Sequence, residues 1–177
     1  KVVAAARKGG EVSFLPKAAG ALPAGTVLLD TGAAKAAARV AADLGLPLSP
    51  LAGLPAGATK LRAPRVGLYK PWVASMDEGW TRFLLERYGF APATLDNAAI
   101  RAGKLGARFD VIVLADSSKS VIATGKPKRD EGEMTYFPEP RPEYSGGLGK
   151  EGAAALREFV EGGGTLVALA SASEYAL

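Results

Sequence analysis

The sequence contains no cysteine and no histidine. Without cysteine there is no disulfide, no thiolate nucleophile and no thiolate metal site. Without histidine the usual general base, the Ser–His and Cys–His pairs and the commonest zinc ligand are all missing. A carboxylate-only magnesium or calcium site would still be compatible with this composition, yet no Asp-x-Asp-x-Asp loop occurs. Most familiar hydrolase chemistry is therefore excluded within this chain, and no cofactor is expected in it. Long apolar runs are also absent. None approaches the roughly 18 residues that a membrane span requires, so a soluble chain without a membrane span is expected.

A face of one charge is missing too. The chain carries 22 basic and 18 acidic residues, for a net charge of +4, and the basic ones are scattered. The only basic cluster, Lys126, Lys128 and Arg129, runs directly into Asp130, Glu131 and Glu133. Such a mixed run reads as a solvated loop, and no nucleic-acid partner is expected. Aromatic residues make up only 7% of the chain, and both tryptophans fall in one stretch, PRVGLYKPWVASMDEGWTRFLLERY at 64–88.

What is present suits a globular chain. It has 177 residues, 48% of them hydrophobic, enough for one core or for one core and a small subdomain. It starts at Lys1 rather than methionine and stops soon after a strand pattern, which leads us to expect a piece of a longer protein.

In chain order, KVVAAARK at 1–8 predicts a short helix stopped by Gly9-Gly10. EVSFL at 11–15 alternates like a half-buried strand, and TVLLD at 26–30 predicts a second. Thr31 or Gly32 can start a helix through Leu44, with Ala37, Val40, Ala41 and Leu44 on one face. Residues 46–63 keep five leucines and read as an extended connector packed on a surface. The organisation expected is a small N-terminal α/β segment over 1–62 and a larger domain over 63–177.

In the larger domain RVGLY at 65–69 predicts a strand, and Ser75 or Asp77 can cap the helix that follows. Trp80, Phe83, Leu84 and Tyr88 share one face of that helix, and Trp72 and Trp80 are expected in the core or at an interface rather than as a binding platform. A short strand is predicted at 93–95, with a helical turn at 97–102 behind it. FDVIVLA at 109–115 has the doubly apolar pattern of a central parallel strand. Residues 118–124 suit one or two helical turns, and a polar loop over 125–144 holds Pro127, Pro138, Pro140 and Pro142. A loop of that length is expected to be functional, mobile or an insertion. A helix over 150–161 shares a face of Ala153, Leu156, Phe159 and Val160. TLVALA at 165–170 predicts another buried strand, with Ser171 or Ser173 capping a last helix.

Strands alternating with helices imply right-handed crossovers and a parallel sheet covered on both faces. The fold class expected is α/β: an open flavodoxin-like parallel sheet with a small N-terminal α/β appendage. The strands at 65–69, 109–115 and 165–170 are expected at its centre.

Ligands of such sheets bind beyond the carboxyl ends of the strands. The residues predicted there are Tyr69, Lys70, Trp72, Met76, Asp77, Glu78, Asp116, Ser117, Ser118, Ser171, Ser173 and Glu174. They could form a polar pocket, or they could simply cap helices and solvate strand ends. Gly146, Gly147 and Gly149 precede a helix whose amino end could hold an anion, but with neither a P-loop ending nor a GxGxxG pattern a plain glycine-rich hinge is the favoured reading. The turn Ala170-Ser171-Ala172-Ser173-Glu174 sits where a strand-to-helix elbow would present a nucleophile. It has no cysteine, no GxSxG pattern and no histidine to activate a serine.

Three runs, RVGLYKPWVASMDEGWTRFLLERYGF, ARFDVIVLAD and PEYSGGLGKEGAAALREFVEGGGTLVALASASEYA, carry a family likeness. Over residues 60–177 the chain resembles the class I glutamine amidotransferase-like region that follows the catalytic domain in bacterial zinc carboxypeptidase-like proteins. The resemblance implies a periplasmic or extracellular parent whose zinc ligands, a His-x-x-Glu pair and a later histidine, lie in another domain. It implies partners within the same polypeptide, a peptidase domain among them, and loss of the amidotransferase triad. The function expected is a non-catalytic accessory domain. The alternative is a small-molecule or carbohydrate-binding module using the strand-end pocket and the 125–144 loop.

Overall fold

The computed structural model describes residues 1–127, 141 and 144–176. The expectations for most of the 125–144 loop, including Lys128, Arg129, Pro138, Pro140 and Pro142, lie outside the described residues. The chain divides into two compact units, Lys1–Ala63 and Pro64–Leu177.

The first unit holds α1 (Val2–Ala6), β1 (Val12–Phe14), β2 (Val27–Leu29), α2 (Thr31–Asp43) and β3 (Thr59–Lys60). Its sheet is antiparallel in the order β2-β1-β3, with Ser13 opposite both Leu28 and Lys60. The alanine richness of the two helices has a packing consequence. Ala6, Ala33 and Ala37 are fully buried, and Gly9 and Gly32 approach so closely that a Cβ on either would collide with the other's carbonyl. Helix α2 starts at Thr31 as expected, and Asp30 caps it. Its carboxylate accepts the Ala33 N–H and the Glu11 N–H, both at 2.7 Å. Two expectations fail here. Leu44 lies exposed rather than on the packed face, and Leu46, Leu48, Leu51 and Leu54 are exposed, so the 46–58 connector is not laid on a surface. β3 recruits the end of that connector into the sheet, which composition alone did not reveal.

The second unit is mixed α/β, with a four-stranded parallel sheet flanked by helices. Its elements are β4 (Val66–Tyr69), α3 (Met76–Arg87), β5 (Ala93–Leu95), α4 (Asn97–Arg101), α5 (Leu105–Arg108) and β6 (Val111–Leu114). α6 (Lys119–Thr124), α7 (Gly149–Glu161), β7 (Thr165–Ala168), a 3-10 turn (Ala170–Ala172) and α8 (Ser173–Ala176) follow. The strand order is β5-β4-β6-β7, so the second strand of the unit lies outside the first and the chain then reverses direction across the sheet. β4 and β6 are central as expected. The 165–168 strand is not central: among the described residues it is an edge strand, as is β5 on the other side.

Alternation along β4 and β6 sorts the core into two faces. Tyr69, Ile112 and Leu114 point to a large cluster with Leu95, Ile100, Leu105, Ile122, Leu148, Leu156 and Phe159, under α4 to α7. Val66, Leu68, Val113 and Ala115 form the opposite face, against which Leu85 of α3 packs. Gly67 allows the first face to close, because a Cβ there would lie 2.5 Å from Leu95 Cδ1. At the amino ends, Arg65 grips Asp110 through Nε at 3.1 Å and Nη2 at 2.8 Å, and reaches the Ala107 and Gly106 carbonyls as well. Holding Asp110 this way pushes the Arg65 guanidinium further up from its ordinary value.

Two features bear on function. Of the core and interface positions left open for Trp80, the core is ruled out: Trp80, Phe83, Leu84 and Tyr88 are exposed, whereas Glu78 is buried. β7 is not a fully buried strand either, since Val167 and Leu169 on the α3 side of the sheet are open. No helix among the described residues is long and apolar enough to cross a membrane.

Candidate functional site

The carboxyl ends of the parallel strands are where the sequence places a pocket, and two small groupings form there. The first is built on β4. Tyr69, the last residue of the strand, is buried, and its hydroxyl donates to Asn97 Oδ1 at 2.7 Å. Asn97 opens α4 after the Asp96 cap, and its Nδ2 donates to the Gly146 carbonyl at 2.7 Å. Arg101, one helical turn on, donates from Nη1 to the Gly147 carbonyl. Tyr175 of α8 lies close enough for its charge to act on Tyr69, and its own hydroxyl is buried without a partner among the described residues. Burial holds both phenols above the ordinary tyrosine range, and a tyrosinate at 175 would push Tyr69 higher still.

This grouping changes the role of four predicted residues. Tyr69 does not line an opening; it anchors a buried hydrogen-bond chain. Gly146 and Gly147 supply carbonyls to that chain. The Leu148 N–H, at the cap of α7, bonds the Ile122 carbonyl at 2.8 Å. Gly147 is glycine because a Cβ would meet the backbone of Ala123 and Thr124 at about 2.5 Å. Gly149, at φ 59, gives the left-handed step into α7. The glycine-rich turn is thus a packing element at this end of the sheet.

The second grouping joins β6 to the turn after β7. Asp116 Oδ1 accepts the Ser171 backbone N–H at 3.1 Å, and Ser173 Oγ donates to the Ala170 carbonyl at 2.7 Å. Ser117 is half-buried beside Asp116, and Ser118 Oγ caps α6. Ser171 and Ser173 are exposed, and among the described residues neither hydroxyl meets a base. The left-handed residue of the turn is Ala170, at φ 46. This is a strained conformation for a residue with a Cβ, and it stands where the chain passes from strand into helix.

The remaining predicted residues spread outward. Lys70 is exposed, and its backbone N–H bonds the Leu95 carbonyl at 2.8 Å. Trp72 is exposed and meets Tyr144 edge to face, with ring centroids 5.3 Å apart. Met76, Asp77 and Glu174 are exposed in the first turns of their helices. Glu78 points inward to Arg82 at 2.6 Å, under the sheet-facing side of α3, and so leaves the pocket. A partly open cavity of about 280 Å³ lies elsewhere, beside α5 and α7, and Lys104, Leu105, Ala155, Glu158 and Phe159 line it.

Comparison with protein-family models, with curated proteins and with solved structures gives no match to this chain. The site therefore has to be judged on its own groups. With no histidine or cysteine, and no group of three or more acidic residues placed to hold a metal among the described residues, the chain does not fit a carboxypeptidase-type zinc centre. Asn97, Arg101, Tyr175 and Ala170 are the positions that sequence reasoning missed. Asn97 and Arg101 fell inside the predicted turn at 97–102, but nothing in a linear pattern shows which polar side chain of a helix is buried. Ala170 carries no functional group, and attention went to the serines beside it.

Proposed function

We propose that this chain is a non-catalytic accessory module of a larger, exported zinc carboxypeptidase-like protein, supporting domain packing or substrate access. Its second unit is then an open flavodoxin-like sheet of the class I glutamine amidotransferase-like kind. The order β5-β4-β6-β7, with the first strand inside the second, supports that reading of the sheet. Its natural partner is a peptidase domain in the same polypeptide, and its place is the periplasm or the extracellular space.

One observation carries the non-catalytic reading. At the turn after β7 the strained, left-handed position belongs to Ala170, while Asp116 accepts a backbone N–H and Ser173 donates to a carbonyl. An elbow of this kind serves acyl transfer when its apex side chain is a nucleophile beside a base. Here the apex is a methyl group. Peptidase and amidase assays on the purified chain test the proposal, and no turnover above buffer is expected. Turnover that survives a chelator and disappears in Ser171→Ala or Ser173→Ala would overturn it.

A second reading has its own support in the exposed Trp72–Tyr144 pair, with Trp72 following the carboxyl end of β4 as Asp116 follows that of β6. A carbohydrate or other small polar ligand could stack there. On this reading a saccharide panel raises the melting temperature, and Trp72→Ala or Asp116→Ala removes the effect. A flat response across the panel excludes it.

A further inference from the structure

Helix α3 carries its apolar stripe on the wrong side for a helix that only covers a sheet. Met76, Trp80, Phe83 and Leu84 recur at the i, i+4, i+7, i+8 spacing of one helical face. They are 74%, 60%, 49% and 51% exposed. The opposite side, with Glu78, Arg82 and Leu85, faces the sheet, and there Arg82 bonds Glu78, the Pro92 carbonyl and Thr94 Oγ1. Trp80 and Phe83 already sit edge to face with centroids 5.9 Å apart, forming a preformed aromatic ridge. Trp72, Val73, Tyr88 and Phe90 are also exposed, just before and after the helix. An exposed apolar stripe of this make-up on one helical face marks an interface.

We infer that the outer face of α3 is the contact between two copies of this chain, packed antiparallel about a two-fold axis. The charges along the helix choose this occupant. Acidic Asp77 stands in the first turn and basic Arg87 in the last. An antiparallel two-fold pairing centred at the level of Arg82 brings Asp77 of each copy to Arg87 of the other, making two reciprocal ion pairs. The same operation sets Trp80 against Phe83 and Leu84 of the other copy, and aligns the helix dipoles favourably. Gly79, next to the stripe and open to solvent, lets the backbones come close. A parallel pairing would instead place Asp77 beside Asp77 and Arg87 beside Arg87. This inference is independent of whether the chain serves a peptidase.

The test is sedimentation of the full chain across the micromolar range, with circular dichroism as a control for folding. The expected result is a concentration-dependent monomer–dimer equilibrium that Trp80→Glu abolishes. Asp77→Arg and Arg87→Asp should each weaken association about tenfold by creating like-charge contacts, and the double swap should restore it. In a Trp72→Phe background, Trp80 emission should shift to shorter wavelength as dimer forms. A chain that stays monomeric over this range overturns the inference. A blue-shifted Trp80 in such a monomer would mean that the same polypeptide covers the face. Dimers that ignore Trp80→Glu, or a charge swap that restores nothing, would equally overturn it.

Discussion

Arg82 and Glu78 form a 2.6 Å ion pair on the inward side of α3, opposite the side where Trp80 and Phe83 stand. The pair is one turn apart on the helix, and Arg82 also reaches the Pro92 carbonyl and Thr94 of β5. A polar cluster thus ties α3 to the edge of the sheet, and Leu85 supplies its apolar contact. Breaking one partner strands the other. Arg82→Met should lower stability by about 2 kcal/mol, less than for a fully enclosed pair because Arg82 keeps some contact with water. Glu78→Leu combined with Arg82→Met should recover most of that loss, as read from urea unfolding. Equal destabilisation in the single and double variants would contradict this account.

Tyr69→Phe keeps the ring in the core but removes the donor to Asn97. The orphaned Asn97 Oδ1 should cost about 1–2 kcal/mol in urea unfolding. The same residue sets the alkaline limit. Burial raises the Tyr69 phenol above its ordinary value, so folding favours the neutral form. That contribution is complete below about pH 10, where the unfolded phenol titrates, and is lost as pH rises through the folded value. Stability should therefore fall on the alkaline side, and less steeply in Tyr69→Phe. An unchanged alkaline slope would refute the assignment.

Asp30 acts in the opposite direction on the pH scale. Its carboxylate is held below the usual range by the Ala33 and Glu11 backbone N–H groups. The stabilisation it provides is present above the unfolded carboxylate value near 4 and is lost as pH falls through the lower folded value. Asp30→Ala should speed amide exchange at the start of α2 and at Glu11 at neutral pH. At a pH below the folded value it should make no difference. Equal effects at both pH values would show that the cap does not depend on charge.

Gly67→Ala introduces a methyl group 2.5 Å from Leu95 Cδ1 and 3.2 Å from Phe109 Cδ1. Both neighbours belong to the packed core beneath α4 and α5, so the expected loss is about 1–3 kcal/mol in thermal or urea unfolding. Neutral behaviour would mean that Leu95 can change rotamer freely.

Much of this protein follows from local pattern. VGLY, VIVL and TLVA form strands where their apolar runs and flanking breakers predict them. The glycines after 87, 124 and 161 end helices because they relieve the left-handed or close turn there. The lack of histidine and cysteine already narrowed the chemistry, whatever the fold. Local pattern also identified the strand ends as the place to look for a site.

Only the tertiary structure decided which side of each element faces in. Helical periodicity finds the apolar stripe of α3 but assumes that it meets the nearest sheet; the Glu78–Arg82 cluster satisfies its own charges and occupies that place instead. Strand periodicity likewise cannot rank strands, and Thr165–Ala168 became an edge because pairing order depends on crossovers, not on hydropathy. At the candidate site, Tyr69 and Asn97 are 28 residues apart, and Asp116 and Ser171 are 55 apart. Their hydrogen bonds depend on chain reversals through space, which composition and spacing do not encode. The left-handed turn fell on Ala170 for the same reason: strand and helix set the path, and the residue at its apex had to adopt it.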